Sequence, residues 1–198
     1  MALQTNLIDK DGDLLDIGSD GIMSVKLPDS IDITSNAMRT VTETDAATHR
    51  GKHFKAGFQD LAMSTGDVIE LVLVTPNTTE WAHFSLRSSY TGIVTVDMFE
   101  GATLSDDGTA VTRLNRNRNS DIVSTTLAYH TPSITTTGTK IVSKFLGSEG
   151  FRSDIGESFA GSDHFLLKQN TKYILRLTAV TNNIKCSIGG DWLEIINK

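Results

Sequence analysis

The hydrophobic pattern is clearest between Val68 and Phe99. Val68 to Val74 is a near-continuous apolar run, broken by Glu70, and its Val and Ile content predicts a strand buried on both faces. Pro76 ends it, because proline has no N–H for a ladder. From Trp81 the chain alternates with a period of two: Ala82, Phe84 and Leu86 share one face, and Trp81, His83, Ser85 and Arg87 the other. Val94, Val96 and Met98 continue the alternation after Tyr90-Thr91-Gly92, so residues 81–99 read as a β-hairpin.

The same grammar recurs downstream. A turn is expected at Ser105-Asp106-Asp107-Gly108, followed by a short strand from Ala110 to Leu114. Ile122 to Tyr129 alternates and stops at Thr131-Pro132-Ser133. A threonine-rich turn, Thr135 to Thr139, precedes a strand from Ile141 to Leu146. At the end, Tyr173–Val180, Ile184–Ile188 and Trp192–Ile196, divided by Asn182-Asn183 and Gly189-Gly190, read as a three-stranded meander. About eight strands are counted after residue 65. The expectation is an all-β chain, a two-sheet β-sandwich of jelly-roll type. Residues 36–198 form this domain, and residues 1–35 an extended N-terminal arm.

Two stretches resist the pattern. In residues 36–58, Asn36 suits a helix cap, while Thr40, Val41, Thr42 and Thr44 favour a strand. Residues 147–163, rich in glycine and serine, read as a long loop of the kind often ordered by a partner.

Composition narrows the classes. The 198 residues carry a formal charge of −6 and are 38% apolar. Residues 1–50 hold nine acidic and four basic side chains, so the acidity is concentrated at the N-terminus. No basic field points to nucleic acid. No apolar run reaches the 18 residues of a membrane span, and Met1 to Lys10 lacks a signal-peptide pattern. Cys186 is the one cysteine, in a strand pattern, and reads as a small buried hydrophobe of a chain made in a reducing cytoplasm.

Candidate chemistry is sparse. Asp9-Lys10-Asp11-Gly12-Asp13 opens like a calcium loop, but Leu14 stands where glycine is required and Asp20 where glutamate is. His49 and His53, four apart, are weak candidates for a metal pair, with Gly51 between them working against a shared helix. The run Asn115 to Ser120 reads as a loop pinned by arginine–carboxylate pairs. No nucleophile elbow, phosphate loop or dinucleotide fingerprint is present, so neither an enzyme nor a cofactor is expected. The candidate partner-binding residues are the apolar anchors of the arm, Leu14, Leu15, Ile22 and Met23, together with Trp81, Phe151 and Phe159. Trp81, on the polar face of its strand, suits stacking on a sugar ring or cover by a partner.

Several segments taken together carry a resemblance: Asn36-Ala37-Met38-Arg39-Thr40, Thr48 to Phe54, Leu73 to His83, Asn117 to Ser120, Leu167 to Tyr173, and Asp191-Trp192. They resemble a family of virion structural proteins of tailed bacteriophages and prophages. The resemblance implies a component of a phage particle and carries no catalytic or ligand residue with it. Compactness and an acidic, anchor-bearing arm favour a capsid decoration, or cement, protein on the head surface. Such a protein is expected to bind the major capsid protein, copies of itself, or both, as a homo-oligomer such as a trimer, by apolar burial and strand addition. The alternatives are a tail or head-fibre component that binds host glycans and an envelope hydrolase.

Overall fold

The computed structural model describes residues 42–147 and 164–196, together with the backbone of four two-residue strands upstream. The chain divides into two compact units, residues 1–42 and 43–198. In the first, β1 (Asp16–Ile17) pairs with β2 (Met23–Ser24), and β3 (Ile31–Asp32) with β4 (Ala37–Met38), both antiparallel.

The second unit begins with a short helix, α1 (Glu43–His49). Glu43 and Asp45 lie in its first turn, where carboxylates complement the helix dipole, and Ala47 is fully buried. Gly51, with a φ of 70°, ends it in the left-handed conformation. Thirteen strands follow: β5 (His53–Met63), β6 (Val68–Val74), β7 (Glu80–Tyr90), β8 (Val94–Glu100), β9 (Thr103–Asp106), β10 (Thr109–Ala110), β11 (Leu114–Asn115), β12 (Leu127–His130), β13 (Ser133–Thr136), β14 (Thr139–Leu146), β15 (His164–Leu166), β16 (Lys172–Ala179) and β17 (Ile184–Ile196).

These build two antiparallel sheets, ordered β10-β12-β6-β16-β8-β14 and β11-β5-β17-β7-β15. Eight of the strands, β5 to β8 and β14 to β17, form the two halves of the sandwich: the chain changes sheet at every step except from β8 to β14, which are neighbours in one sheet. Each later strand inserts beside an earlier one, which is the double Greek key of a jelly roll. The segment between β8 and β14 is an elaboration. It adds β12 and β10 to one edge of the six-stranded sheet, β11 to one edge of the other, and the separate β9–β13 pair.

The core lies between the sheets and includes Phe54, Leu71, Leu73, Phe84, Leu86, Met98, Tyr173, Leu175 and Trp192. A second, smaller cluster of Val72, Phe99, Ala102 and Ile174 sits on the outer face of the six-stranded sheet, under Leu104, Ile134 and Tyr129. Beside it, Arg176 pairs with Glu70 at 2.6 Å and Lys140 with Asp97 at 3.0 Å. Both cations also approach the Phe99 ring, at 5.2 and 5.3 Å.

All-β sandwich architecture is as the pattern predicts, but the connections differ. Residues 81–99 are not a hairpin. β7 and β8 belong to different sheets, and Thr91 to Ile93 carry the chain across the sandwich. Alternation cannot distinguish the two arrangements, because strands facing each other across a core bury the same parity of residues as strands paired in one sheet. Likewise β16 and β17 are in different sheets, so the closing segments form no meander, although Asn183 does adopt a positive φ of 56°.

Gly189-Gly190 is no turn. It lies within β17, thirteen residues long, opposite Gly57 and Ala56 on one side and Arg87 and Leu86 on the other. A Cβ on Gly190 would stand 2.2 Å from the Phe84 ring, and one on Gly189 2.5 Å from the Ala56 carbonyl oxygen. The glycines therefore mark close packing in an extended strand.

The remaining differences are local. β5 occupies a stretch with no expected strand, and Thr44 lies in α1. The expected strand at Ala110–Leu114 is instead the ends of β10 and β11, in different sheets. Only Leu127 onward of Ile122–Tyr129 is strand, and Ser133 to Thr136, expected as a stop and turn, is β13. Among the described residues, the strands after residue 65 number twelve.

Candidate functional site

The outer face of the five-stranded sheet carries a groove of about 820 Å³, within the range of small-ligand sites. Its floor is the backbone of β5 and β17 at the directly paired Gly57 and Gly189. Neither residue has a side chain of its own, so nothing projects from the floor at this pair.

One wall is built around Asp191, an outward-facing residue of β17 that is only 5% exposed. Arg87 of β7 bonds Oδ2 of its carboxylate through Nε. Arg116, just beyond β11, donates to Oδ1 through Nε at 2.7 Å and approaches it through Nη2 at 2.5 Å. Two guanidiniums from separate elements are thus held by one buried carboxylate. This is the arginine–carboxylate pin expected for the Asn115–Ser120 loop. The asparagines lock the rest: Asn115 donates to the carbonyls of Gly51 and Ile122, both at 2.9 Å, and accepts from the Asn117 N–H, also at 2.9 Å.

Lys55, exposed on β5, adds a third cation. The far end is hydroxyl- and amide-lined, with Ser89 and Ser187 hydrogen-bonded across the strands at 2.6 Å and Gln59 beside them. Val111 and Leu114 from the elaboration form an apolar flank. Three cations face one carboxylate in this groove, on a chain whose net charge is −6.

His53 lies at the margin. Its Nδ1 is 2.8 Å from the Thr48 hydroxyl, and its Nε2 is 3.9 Å from Asp191 Oδ1. His49 ends α1 and His53 opens β5, so the two do not share a helical face. Among the described residues, no group of three His, Cys, Asp or Glu is placed to hold a metal. Burial and then Arg116 push the His53 pKa down, against an opposing pull from Asp191.

A second histidine environment lies further along β7. His83 Nδ1 is 3.4 Å from His164 Nε2, and the rings sit 5.6 Å apart. Burial, followed by the facing His164, lowers the His83 pKa, partly opposed by Glu43. Both histidines are protonated more readily in the unfolded chain, whose histidine value is near 6.5. Unfolding then takes up protons, so stability should be level above about pH 7 and fall as pH drops through 6.5. Melting temperatures between pH 8 and pH 5 test this. His53→Gln and His83→Gln should each flatten the slope, and an unchanged slope in the double variant would refute the assignment.

Trp81 is part-buried on the outward face of β7, outside the groove lining. The side chains of Leu14, Leu15, Ile22, Met23, Phe151 and Phe159 lie outside the described residues, as does the Asp9–Asp13 segment. Cys186 is buried in the core as expected, and burial, with a smaller push from Asp60, raises its thiol pKa to about 11. Of the groove residues, Arg116 alone was marked by its local sequence. Lys55, Gly57, Arg87 and Asp191 carry no local signature; the Gly189-Gly190 dipeptide is the available signal, and it imitates a turn.

No helix among the described residues is long and apolar enough to cross a membrane. No family model, curated protein or solved structure matches the chain.

Proposed function

We propose that this chain is a non-enzymatic structural component of a tailed-phage particle, a decoration protein that binds the major capsid protein and copies of itself on the head surface. The resemblance of its short segments supports the particle, and one observation supports a docking role. β14 is an edge strand of the six-stranded sheet, paired with β8 alone among the described residues, and it carries Phe145 67% exposed, with Ile141 38% exposed four residues earlier. A bulge between Lys140 and Val142 and the placement of Lys144 on the sandwich-facing side blunt this edge against indiscriminate pairing. Phe145 is then left as a specific apolar contact, and repeated contacts in a trimer add avidity.

Purified empty capsids test the reading. The chain should bind them with saturable stoichiometry and raise their melting temperature, and Phe145→Glu should weaken binding at least tenfold while leaving the fold intact. Absence of saturable binding to capsids would overturn the decoration role. Binding unaffected by Phe145→Glu would remove β14 from the contact. A second reading, a particle component that binds host glycans, is favoured by the groove on the opposite sheet, with its hydrogen-bonding lining and glycine floor.

A further inference from the structure

The groove has a chemistry of its own, and its ligand class follows from it. We infer that the Gly57–Gly189 groove binds an acidic saccharide, seating a carboxylate against Arg87, Arg116 and Lys55. The inference rests on the glycan-binding reading and stands apart from the placement on the phage head.

The glycine pair is the first observation. Glycine weakens a strand interior, and Gly57 and Gly189 face one another in the middle of two of the longest strands. Gly189 has a packing reason, since its Cβ would meet the Ala56 carbonyl. Gly57 has less of one: a Cβ there would stand 3.3 Å from the Ile188 carbonyl oxygen, a contact that needs only a few tenths of an ångström of adjustment. An open floor at Gly57 matches the close approach of a ligand.

Charge is the second. Arg87 and Arg116 are 49% and 39% exposed while anchored on a carboxylate whose side chain is 6% exposed, so both are oriented in advance and still reach solvent. A guanidinium fork held this way recognises a planar carboxylate at low entropic cost. Asp191 beside them disfavours a doubly charged group, which selects a single negative charge.

The third is the state of the backbone. Along the groove β17 is hydrogen-bonded on both sides, to β5 and to β7. An extended peptide finds no free edge on β17 to pair with there. Over β17 recognition runs through side chains, and the available ones, Ser89, Ser187 and Gln59, suit hydroxyl groups, with Val111 and Leu114 for a sugar's C–H face.

The test is binding of the full chain to four probes: a galacturonate tetramer, a sialic-acid dimer, neutral maltotetraose and poly-glutamate. Titration calorimetry at low and moderate salt should show binding of at least one acidic saccharide, weakened by salt, with no binding of maltotetraose or poly-glutamate. Ser89→Trp fills the groove from an exposed strand position, and Lys55→Glu reverses the third cation. Each should weaken binding at least tenfold with an unchanged melting temperature. Equal binding of maltotetraose would overturn the acidic requirement and leave the glycan reading standing. Equal binding of poly-glutamate would overturn the saccharide assignment. Saccharide binding that survives Ser89→Trp in a folded protein would overturn the groove as its site. No binding of any saccharide would overturn both this inference and the glycan reading.

Discussion

Glu194→Ala should cost about 3–5 kcal/mol, because it strands several buried donors at about 1–3 kcal/mol each. For a chain of this size that lowers the melting temperature by roughly 6–20 °C. Glu194 is 2% exposed near the end of β17. Its carboxylate accepts from Ser124 Oγ at 2.6 Å, from the Thr126 N–H at 2.9 Å, and from both the N–H and the hydroxyl of Thr125 at 3.0 Å. Trp192 Nε1 donates to it at 3.2 Å. Alanine would leave two backbone N–H groups and an indole N–H without this acceptor in a region water reaches poorly.

The consequence extends to the 121–126 segment, which has no strand partner of its own and is tied to the sheet by these bonds. Glu194→Gln should lose less, because one acceptor oxygen survives. Burial raises the Glu194 pKa, but the donors from Ser124, Thr125 and Thr126 outweigh it and hold the carboxyl below the usual range. A carboxyl depressed in the folded state contributes stability above about pH 4.5 and loses it as pH falls further. This window is separate from the histidine window near 6.5. Thermal denaturation of wild type, Glu194→Ala and Glu194→Gln at pH 7 and pH 4 decides the matter. A Glu194→Ala loss under about 1 kcal/mol would show that solvent replaces the carboxylate.

Trp192→Ala should be similarly severe, about 3–5 kcal/mol for emptying a large core site. Trp192 is 1% exposed, lies 6.3 Å from the Phe54 ring and donates to Ser124 Oγ at 3.1 Å. Trp81→Ala, part-buried on the outer face of the neighbouring strand, should cost no more than about 1 kcal/mol. Urea denaturation of the two variants measures the contrast, and equal losses would refute it. Because Trp192 and Glu194 touch, their combined variant should lose less than the sum of the two single losses.

The same pair shows how far local pattern reaches. The run Trp192 to Ile196 is legible as a strand, and Asp191 just before it and Glu194 within it look like ordinary solvent-facing carboxylates. Their partners, Arg87, Arg116 and the 124–126 backbone, stand between 68 and 104 residues away. No window along the chain joins them. β5 is illegible locally for a different reason: Lys55, Gly57 and Asp60 have low strand propensity, and the segment is held by pairing with β17.

What the sequence by itself determined is the class: alternating apolar positions, proline and glycine stops, and a modest apolar fraction suffice for an all-β sandwich with Phe84, Leu86, Val96, Met98, Tyr173 and Leu175 inward. Cys186 as a core residue and the asparagine-locked loop at Asn115 were also readable, because backbone preference and side-chain polarity act locally. Tertiary structure alone decided which strands share a sheet, since a crossover and a hairpin present the same period of two. It also decided that Gly189-Gly190 runs straight, because the obstruction to a Cβ comes from Phe84 and Ala56 on neighbouring strands. The groove follows from those two decisions: placing β5, β17 and β7 side by side brings Lys55, Arg87 and Asp191 onto one face, with Arg116 closing over them.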